Sequence, residues 1–218
     1  MFPELSTLQL VTVAILPTLF AIVIHEVSHG WVAMRLGDRT AYAAGRLTLN
    51  PLKHIDPIGT ILVPALLIIT VGFAFGWAKP VPINWNNLHH PKRDIALVAA
   101  AGPVANLLMA IFWALLVKIG TLLPQGFILS TPLIYMGLFG ILINTVLMVF
   151  NLVPIPPTDG GRILTSLLPP RMAYSVSRIE PYGMFILIGL MLTGILWHLI
   201  GPVIHAVMTI IRSLTGLG

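Results

Sequence analysis

The chain has 218 residues, of which 57% are hydrophobic and only 9% are charged. An ordinary soluble domain carries about a quarter charged residues, so this composition excludes a soluble enzyme, a disordered chain and a collagen-like chain. The formal net charge is +5, but the basic residues are scattered over short loops, which argues against a nucleic-acid partner. The chain is therefore predicted to be an all-α polytopic membrane protein in a lipid bilayer, with about four to six membrane helices of about 20 residues.

Residues 7–34 form the first apolar segment, which is long enough to span a membrane and is followed by two arginines. No Lys or Arg precedes it and it contains ionisable residues, so we expect it to be retained rather than removed as a signal peptide. Residues 40–56 alternate between apolar and polar positions and contain an Asn-Pro pair, which predicts a small interfacial β element. Residues 57–75 are apolar but contain prolines and glycines, so a helix there should be interrupted.

Residues 76–87 combine two prolines at alternate positions with two tryptophans. Proline favours an extended backbone before it and tryptophan favours the headgroup layer, so this stretch predicts an extended segment along an edge. Further membrane helices are predicted over residues 93–119 and 132–150. Three prolines in NLVPIPPTDGG, residues 151–161, end the second of these, and a helix is expected to resume briefly over 161–168.

The C-terminal part, residues 177–211, predicts one long or two short apolar helices that divide near the Gly-Pro pair at 201–202. No internal repeat and no low-complexity tail is visible in the sequence. We therefore expect one integral membrane domain over residues 1–218, with its core at about 7–168 and additional helices at about 177–214.

The strongest chemical signal is the HExxH pattern formed by His25, Glu26 and His29. The chain contains no cysteine, so a metal would have to be held by His, Asp, Glu or Asn. On a helix, His25 and His29 leave the same face one turn apart and can bind one metal ion. Glu26 lies close enough to reach a water molecule beside that ion and act as general base. Ionisable groups inside an apolar helix are costly when unpaired, which favours a metal site over a polar contact between helices.

A catalytic zinc site takes three protein ligands and leaves a fourth position open, so a third ligand is required. Asp159 is the candidate, because it follows a proline-broken helix and precedes two glycines that let the backbone approach a site closely. The alternative is an ordinary N-cap aspartate for a helix that begins at Gly160, which by itself is the commoner role. The residues alone leave both interpretations open.

Three motifs in this order resemble the site-2 protease family of intramembrane zinc metalloproteases. They are HEVSHG at 25–30, AGPVAN at 101–106 and NLVPIPPTDGG at 151–161. GWAKPVPIN at 76–84 resembles the substrate-side segment of short bacterial and archaeal members, so the likeness covers most of residues 20–165. No PDZ insertion separates the motifs, and the chain is therefore similar to the minimal branch of the family.

The resemblance implies that one zinc ion per chain is bound by His25, His29 and Asp159. It implies that Glu26 is the general base in the hydrolysis of peptide bonds. It also implies a transmembrane protein or peptide as substrate, such as an anti-sigma factor, a membrane-tethered transcription factor or a signal-peptide remnant. The expected function is regulated intramembrane proteolysis, and an oligomer is compatible with the sequence.

Substrate contacts are expected from two further motifs. The resemblance implies a role for Asn106 beside the substrate or its oxyanion, and an interhelical hydrogen bond is the alternative. We define the edge segment as residues Lys79, Pro80, Val81, Pro82, Ile83 and Asn84. The edge segment is expected to bind an unwound substrate strand by backbone pairing, and a proline-stiffened loop is the alternative.

The direction of the membrane helices follows from the positions of the ligands. The two histidines and Asp159 lie at C-terminal ends of their helices, so both helices must cross in the same direction to share one ion. An odd number of crossings must separate them, and residues 93–119 supply one, so residues 57–75 should be re-entrant. Loop residues that then share one side are Arg35, Arg39, Arg46, Lys53, Lys79, Lys92, Arg93, Arg162, Arg171 and Arg178.

This basic side is predicted to be the cytoplasm of a bacterial or archaeal cell. The active site is expected nearer that side, and the N-terminus is expected outside. The charge-free loop near residues 121–131 should lie on the same side as the N-terminus.

The rival function is that of a divalent-metal transporter or channel, where intramembrane His and Asp also bind ions near broken helices. Against it, Glu26 would have no role and no repeated half is visible. A scaffold with an inert metal would need four protein ligands and no open position. The substitution Glu26→Gln separates these classes, because only an enzyme should keep zinc and lose cleavage.

Overall fold

The computed structural model describes residues 5–71, 76–124 and 126–217, and no strand occurs in these ranges. The α-helices are α1 (Thr7–Arg35), α2 (Thr40–Ala43), α3 (Val63–Val71), α4 (Pro91–Leu122), α5 (Ser130–Asn151), α6 (Asp159–Leu167), α7 (Pro170–Ser177), α8 (Glu180–Leu192) and α9 (Ile195–Thr215). Shorter elements are the 3-10 helices Pro51–His54 and Trp85–Asn87 and the π-helix Pro57–Leu62.

Within the described residues, four helices are long and apolar enough to cross a membrane, namely α1, α4, α5 and α9. Helices α7 and α8 meet at a bend of 61° and would form one further, broken span. The predicted all-helical architecture is confirmed, and the predicted helices over 7–34, 93–119 and 132–150 are each found within three residues. The chain is an integral membrane protein.

Helix α4 is the centre of the bundle, because it packs against α1, α5, α6 and α9. Its Trp113 is buried against two glycines of α5. A Cβ at Gly140 would lie 2.3 Å from the Trp113 ring, and one at Gly137 would lie 2.9 Å from the Trp113 carbonyl oxygen. Small residues allow such close approach between membrane helices, where lipid gives no hydrophobic driving force for association. The tight contact with α5 fixes the position of α4, which lies beside the HExxH residues of α1.

The predicted β element over residues 40–56 is wrong. This stretch consists of α2, an irregular link and the 3-10 helix Pro51–His54. Gly45 follows α2 with a φ of +62°, a conformation that ends a helical turn. The Asn50 side chain then caps the next turn by accepting a hydrogen bond from the Leu52 amide. The alternating pattern could not select a strand, because the described residues offer no neighbouring strand for it to pair with.

The predicted extended segment over residues 76–87 is three residues too long. Residues 76–84 contain no helix, and Asn84 has an extended backbone with φ −99° and ψ 98°. The Asn84 side chain accepts a hydrogen bond from the Asn86 amide and thereby starts the 3-10 helix Trp85–Asn87. Asparagine favours such turns, since its side chain bonds the backbone two residues on.

The predicted interruption of the apolar stretch over residues 57–75 is not found in its described part, where the π-helix Pro57–Leu62 continues directly into α3. The helical pieces Pro57–Leu62 and α3 contain 6 and 9 residues, and residues 72–75 lie outside the described ranges. Asp56 caps the first piece by accepting hydrogen bonds from two backbone amides. Together the two pieces contain 15 described residues, fewer than the about 20 that a spanning helix needs, and the re-entrant arrangement stays a prediction.

The predicted break near residues 201–202 is wrong, because the C-terminal helices separate at Gly194. Gly194 has a φ of +76° and its amide donates to the Met191 carbonyl, which ends α8. Pro202 lies inside α9 without ending it. The residue before it is Gly201, whose missing Cβ avoids the usual clash with the proline ring.

Candidate metal centre

Helix α1 places the two histidines of the HExxH pattern side by side. The Nε2 atoms of His25 and His29 lie 3.1 Å apart, and the two rings meet edge to face with centroids 4.7 Å apart. Both side chains are buried, on a helix that is apolar enough to span a membrane. The spacing of four residues puts them on one face of the helix, one turn apart.

Each of these histidines is oriented through its Nδ1 atom. His25 Nδ1 lies 2.6 Å from Asn106 Oδ1, and His29 Nδ1 lies 2.7 Å from the Val98 carbonyl oxygen. Because both partners are acceptors, each Nδ1 carries the ring proton and donates it. Both Nε2 atoms therefore keep a lone pair, which is the tautomer that a metal ligand needs.

Asn106 is fully buried, and its amide group makes several hydrogen bonds inside the bundle. Besides accepting from His25, its Nδ2 donates to the Ala21 carbonyl at 3.1 Å and to Asn144 Oδ1 at 3.0 Å. Asn144 in turn donates to the Gly140 carbonyl at 2.9 Å. The contacts of Asn106 are those of the interhelical alternative, and they place it behind His25.

Asp159 is the first residue of α6, and Thr158 is its N-cap, accepting a hydrogen bond from the Gly161 amide at 3.2 Å. The capping role that was the alternative for Asp159 is thus taken by its neighbour. The Asp159 carboxylate turns to the histidines, with Oδ2 3.2 Å from His25 Nε2 and Oδ1 3.4 Å from His29 Nε2. Two distant parts of the chain therefore meet at one point.

The two glycines after Asp159 allow the loop to pack closely on itself. A Cβ at Gly160 would lie 2.2 Å from the Leu152 carbonyl oxygen, and one at Gly161 would lie 2.3 Å from the Pro156 nitrogen. Only glycine fits such an approach of two backbone segments. The packing holds the start of α6 against the end of α5.

The three side chains fit a single metal ion. One ligand atom of each lies within 4.8 Å of the others, a geometry that no other group of three His, Cys, Asp or Glu side chains has among the described residues. Asp159 Oδ2 is buried and receives no hydrogen bond from any described residue, and a carboxylate beside two nitrogen lone pairs is stable only with a cation. Gly102 of α4 leaves space there, since a Cβ on it would lie 2.4 Å from His29 Nε2. Three ligands with room for a fourth are typical of catalytic zinc.

Glu26 directly follows His25 on α1 and reaches the edge segment. Its Oε2 accepts a hydrogen bond from the Val81 amide at 3.0 Å. The Val81 side chain is buried close to Gly30, where a Cβ would lie 2.8 Å from Val81 Cγ1. The predicted base and the predicted substrate segment are thus in direct contact. Pro82 and Ile83 of the same segment are half-buried.

Two side chains that hold the edge segment were not predicted from the sequence. Arg46 Nη2 donates to the carbonyl oxygens of Lys79 at 2.9 Å and Pro80 at 3.3 Å. Asp38 Oδ2 accepts a hydrogen bond from the Asn84 amide at 2.8 Å. Neither residue belongs to a motif, and each is revealed only by a polar contact between segments that are distant in the chain.

Known proteins are similar to the chain over most of its length. Residues 121–194, which include Asp159, match the Peptidase family M50. The chain is 37% identical over 201 residues to YwhC of Bacillus subtilis, which is described as a zinc metalloprotease, and the alignment covers 91% of this chain and 89% of YwhC. No solved structure matches the chain significantly.

Two mycobacterial relatives carry the same description. The chain is 29% identical to Rip2 of Mycolicibacterium smegmatis and 28% identical to Rip2 of Mycobacterium tuberculosis H37Rv. Each alignment covers 80% of this chain but 64% of the longer relative. These descriptions imply zinc as the metal, and His25, His29 and Asp159 are the residues that can hold it. The chain is a membrane metalloprotease and belongs to the site-2 protease family, Peptidase family M50.

Proposed function

We propose that this chain is an HExxH-type endopeptidase that hydrolyses peptide bonds within or near the transmembrane segments of membrane-bound substrates. The observation that carries the proposal is the buried cluster of His25, His29 and Asp159, with Glu26 beside it on α1. Helix α1 is itself long and apolar enough to span the bilayer. A metal site on such a helix can meet substrates that lie in the same bilayer.

The chain's own residues have separate tasks in this proposal. Zinc would supply a Lewis acid that activates water and polarises the scissile carbonyl group. Asn106 and the Val98 carbonyl hold the histidine rings in the orientation that ligation requires. Glu26 takes a proton from the attacking water and returns it to the leaving amine nitrogen. The Val81 amide holds Oε2 of this carboxylate and leaves Oε1 for the transfer.

The peptide groups of the edge segment support substrate binding by strand pairing. Three amides of the segment already have partners within the chain, and its two prolines have no N–H. Among the described residues, the Ile83 amide finds no partner. In an extended chain, peptide groups two residues apart point to the same edge, so an extended backbone over residues 81–83 would put the Ile83 amide on the edge from which Val81 reaches Glu26. A strand paired to the Val81 carbonyl and the Ile83 amide would run past Glu26.

The substrates that fit this proposal are membrane-spanning proteins or peptides. Their helical carbonyl groups are already hydrogen-bonded, so the segment to be cut must first unwind. Membrane-tethered regulators such as anti-sigma or transcription factors, and signal-peptide remnants, are the proposed classes. We place the site nearer the cytoplasmic face of a bacterial or archaeal membrane, with the N-terminus outside, because the loop arginines and lysines then lie inside.

The test is the substitution Glu26→Gln in the zinc-loaded protein, reconstituted with a synthetic peptide that contains one membrane-spanning helix. Loss of the base should lower the cleavage rate by roughly 10²–10⁴-fold, the usual contribution of general acid–base catalysis. Zinc content, measured by mass spectrometry, should stay at one ion per chain, because Glu26 contacts the edge segment and is not a proposed ligand.

Glu180→Gln is the matched control, since Glu180 pairs with Arg162 at 2.9 Å and belongs to no part of the centre. It should keep both zinc and cleavage. A Glu26→Gln protein that still cleaves would contradict the assigned base. A different result would favour the transporter over the protease. In that case the unmodified chain cleaves no peptide, and zinc flux into vesicles persists in the Glu26→Gln variant.

A further inference from the structure

Asp38 is a buried acid in the loop that follows α1, and it joins this loop to the segment around residues 84–87. Its side chain is 0% exposed. Its carboxylate accepts hydrogen bonds from the Asn84 amide at 2.8 Å, from the Asn87 side chain at 2.9 Å and from both the amide and the hydroxyl of Thr40. Two of these donors lie at the C-terminal end of the edge segment or just beyond it.

The Asp38 carboxylate is charged in this setting. Burial raises the pKa of Asp38, but the hydrogen bonds from Thr40, Asn87 and Asn84 more than offset that effect and lower its pKa below the ordinary value. Hydrogen bonds to a charged group are roughly twice as strong as those between neutral groups. The contact with Asn84 is therefore a firm one.

Asp38 is fixed relative to Glu26 because both belong to one rigid unit. The Asp38 amide donates to the Ala33 carbonyl in the last turn of α1, at 2.9 Å. Gly37, with a φ of +117°, makes the turn between them, and a Cβ there would lie 2.6 Å from the Asn87 carbonyl oxygen. Helix α1 thus holds the edge segment at two points, through Glu26 and through Asp38.

The edge segment depends on such side-chain contacts. Prolines at two of its six positions remove the amides that a regular ladder would use. Arg46 holds the carbonyls at its N-terminal end, and Asp38 holds the amide at its C-terminal end. The free Ile83 amide lies directly before the residue that Asp38 holds.

We propose that Asp38 is a positioning residue that keeps the edge segment in register with Glu26, so that a substrate strand is presented to the metal centre. The substrate part of this proposal rests on the proposed function. Asp38 contacts neither a proposed metal ligand nor Glu26. Its loss should therefore weaken substrate binding while the chemical step and the zinc content persist.

The test uses the absence of cysteine from the chain. In a Val81→Cys reporter, the thiol occupies a side-chain position that is 6% exposed, so a water-soluble maleimide should react with it slowly. Adding Asp38→Asn to this reporter replaces one accepting carboxylate oxygen by an NH₂ donor. This donor would face the Asn84 amide, which is also a donor, so the hydrogen bond between them is lost. The modification rate should rise about tenfold, the effect of losing one hydrogen bond to a charged group.

Asp94→Asn is the matched control, because Asp94 is also 0% exposed and accepts from a backbone amide, that of His90, at 2.7 Å. It bonds no part of the edge segment. The maleimide rate in the Val81→Cys reporter should then change by less than about twofold, because the lost contact lies elsewhere. An Asp38→Asn rate that is unchanged, or that Asp94→Asn raises equally, overturns the proposal.

A second readout uses the chain with Val81 intact and the same membrane-spanning peptide. Asp38→Asn should raise KM about tenfold and change kcat by less than about threefold, since only substrate positioning is lost. A fall in kcat at unchanged KM overturns the positioning role. The maleimide reaction needs no substrate, so its rate reports on Asp38 even if the chain cleaves no peptide. A failure of the positioning role of Asp38 can therefore be distinguished from a failure of the proposed protease function.

Discussion

Gly102 has no Cβ atom, and the metal centre depends on this because the ligands lie close to its backbone. The backbone of α4 passes so close to the ligands that a Cβ would lie 2.4 Å from His29 Nε2 and 2.6 Å from His25 Nε2. Those two nitrogens are the atoms that must face the ion. A methyl group at this position would stand where the metal has to be.

The substitution Gly102→Ala is therefore expected to abolish zinc binding, or to weaken it by at least roughly 10²-fold, although alanine is the better helix former. Competition with a fluorescent zinc chelator measures the affinity. The control is Gly189→Ala in α8, where a Cβ would meet no atom within 4 Å. If the Gly102 variant bound zinc as tightly as the unmodified chain, the ligand cluster could not be the metal centre.

Thr158 and Asp159 are adjacent polar residues with different roles at the start of α6. Thr158 caps α6 and also donates its hydroxyl hydrogen to backbone carbonyls of the preceding loop. This frees the Asp159 carboxylate from capping and lets it face His25. A negative charge in the first turn is also favourable with respect to the helix dipole. The ligand thus sits at a position that stabilises its own helix.

At the scale of helices, the centre is held together by an amide relay across α1, α4 and α5. Asn106 of α4 accepts from His25 of α1 and donates to Asn144 of α5. Partners of this kind, beyond the ligands themselves, fix the tautomer and orientation of a ligating histidine. Through these hydrogen bonds, the packing of the three helices fixes the orientation of the His25 ring.

We expect Asn106→Ala to lower zinc affinity by roughly 10–100-fold, the usual effect of removing such a partner. Asn144→Ala should have a smaller effect, because Asn106 keeps its bond to His25. Asn151→Ala is the control, since the Asn151 side chain bonds only the Leu147 carbonyl of its own helix. Competition with a fluorescent zinc chelator measures the zinc affinity of the three variants. Unchanged zinc affinity with lost cleavage in the Asn106 variant would instead favour a role beside the substrate oxyanion.

The HExxH geometry was predictable because a single helix fixes it. Residues four apart share a face whatever surrounds the helix, so His25 and His29 needed no tertiary information. The choice for Asp159 needed the fold, since capping and ligation are both compatible with its sequence neighbours. The sequence left two roles open for Asn106 and gave no sign of a role for Asp38, because each role depends on distances between elements that are far apart in the chain.

The elements that were wrongly predicted share a physical cause. A short alternating pattern over 40–56 carries little free energy by itself, and local capping by Asn50 decided its conformation. The Gly-Pro pair at 201–202 was read as a break, but glycine before proline removes the clash that normally ends a helix. The long apolar helices α1, α4 and α5, in contrast, carry a strong composition signal and were located within three residues.

At the scale of the whole molecule, the shared metal site constrains the topology. Of the candidate spans in the described residues, only α4 lies between α1 and α5, so we expect α1 and α5 to cross in the same direction. Their C-terminal ends then reach one side of the membrane, where the histidines and the start of α6 can meet. The continuous helix over residues 57–71 has 15 described residues, fewer than the about 20 that a further crossing needs, so we expect it not to cross the bilayer.

This arrangement predicts opposite sides for two exposed positions, Tyr42 in the short helix α2 and Leu129 just before α5, which are 64% and 53% exposed. Because the chain has no cysteine, Tyr42→Cys and Leu129→Cys each introduce a single thiol. A membrane-impermeant maleimide added to intact cells should label Leu129→Cys and should label Tyr42→Cys only after lysis, since basic loops face the cytoplasm. Labelling of both thiols from outside would require residues 57–75 to cross the bilayer, and the histidines and Asp159 would then lie at opposite faces with no shared ion.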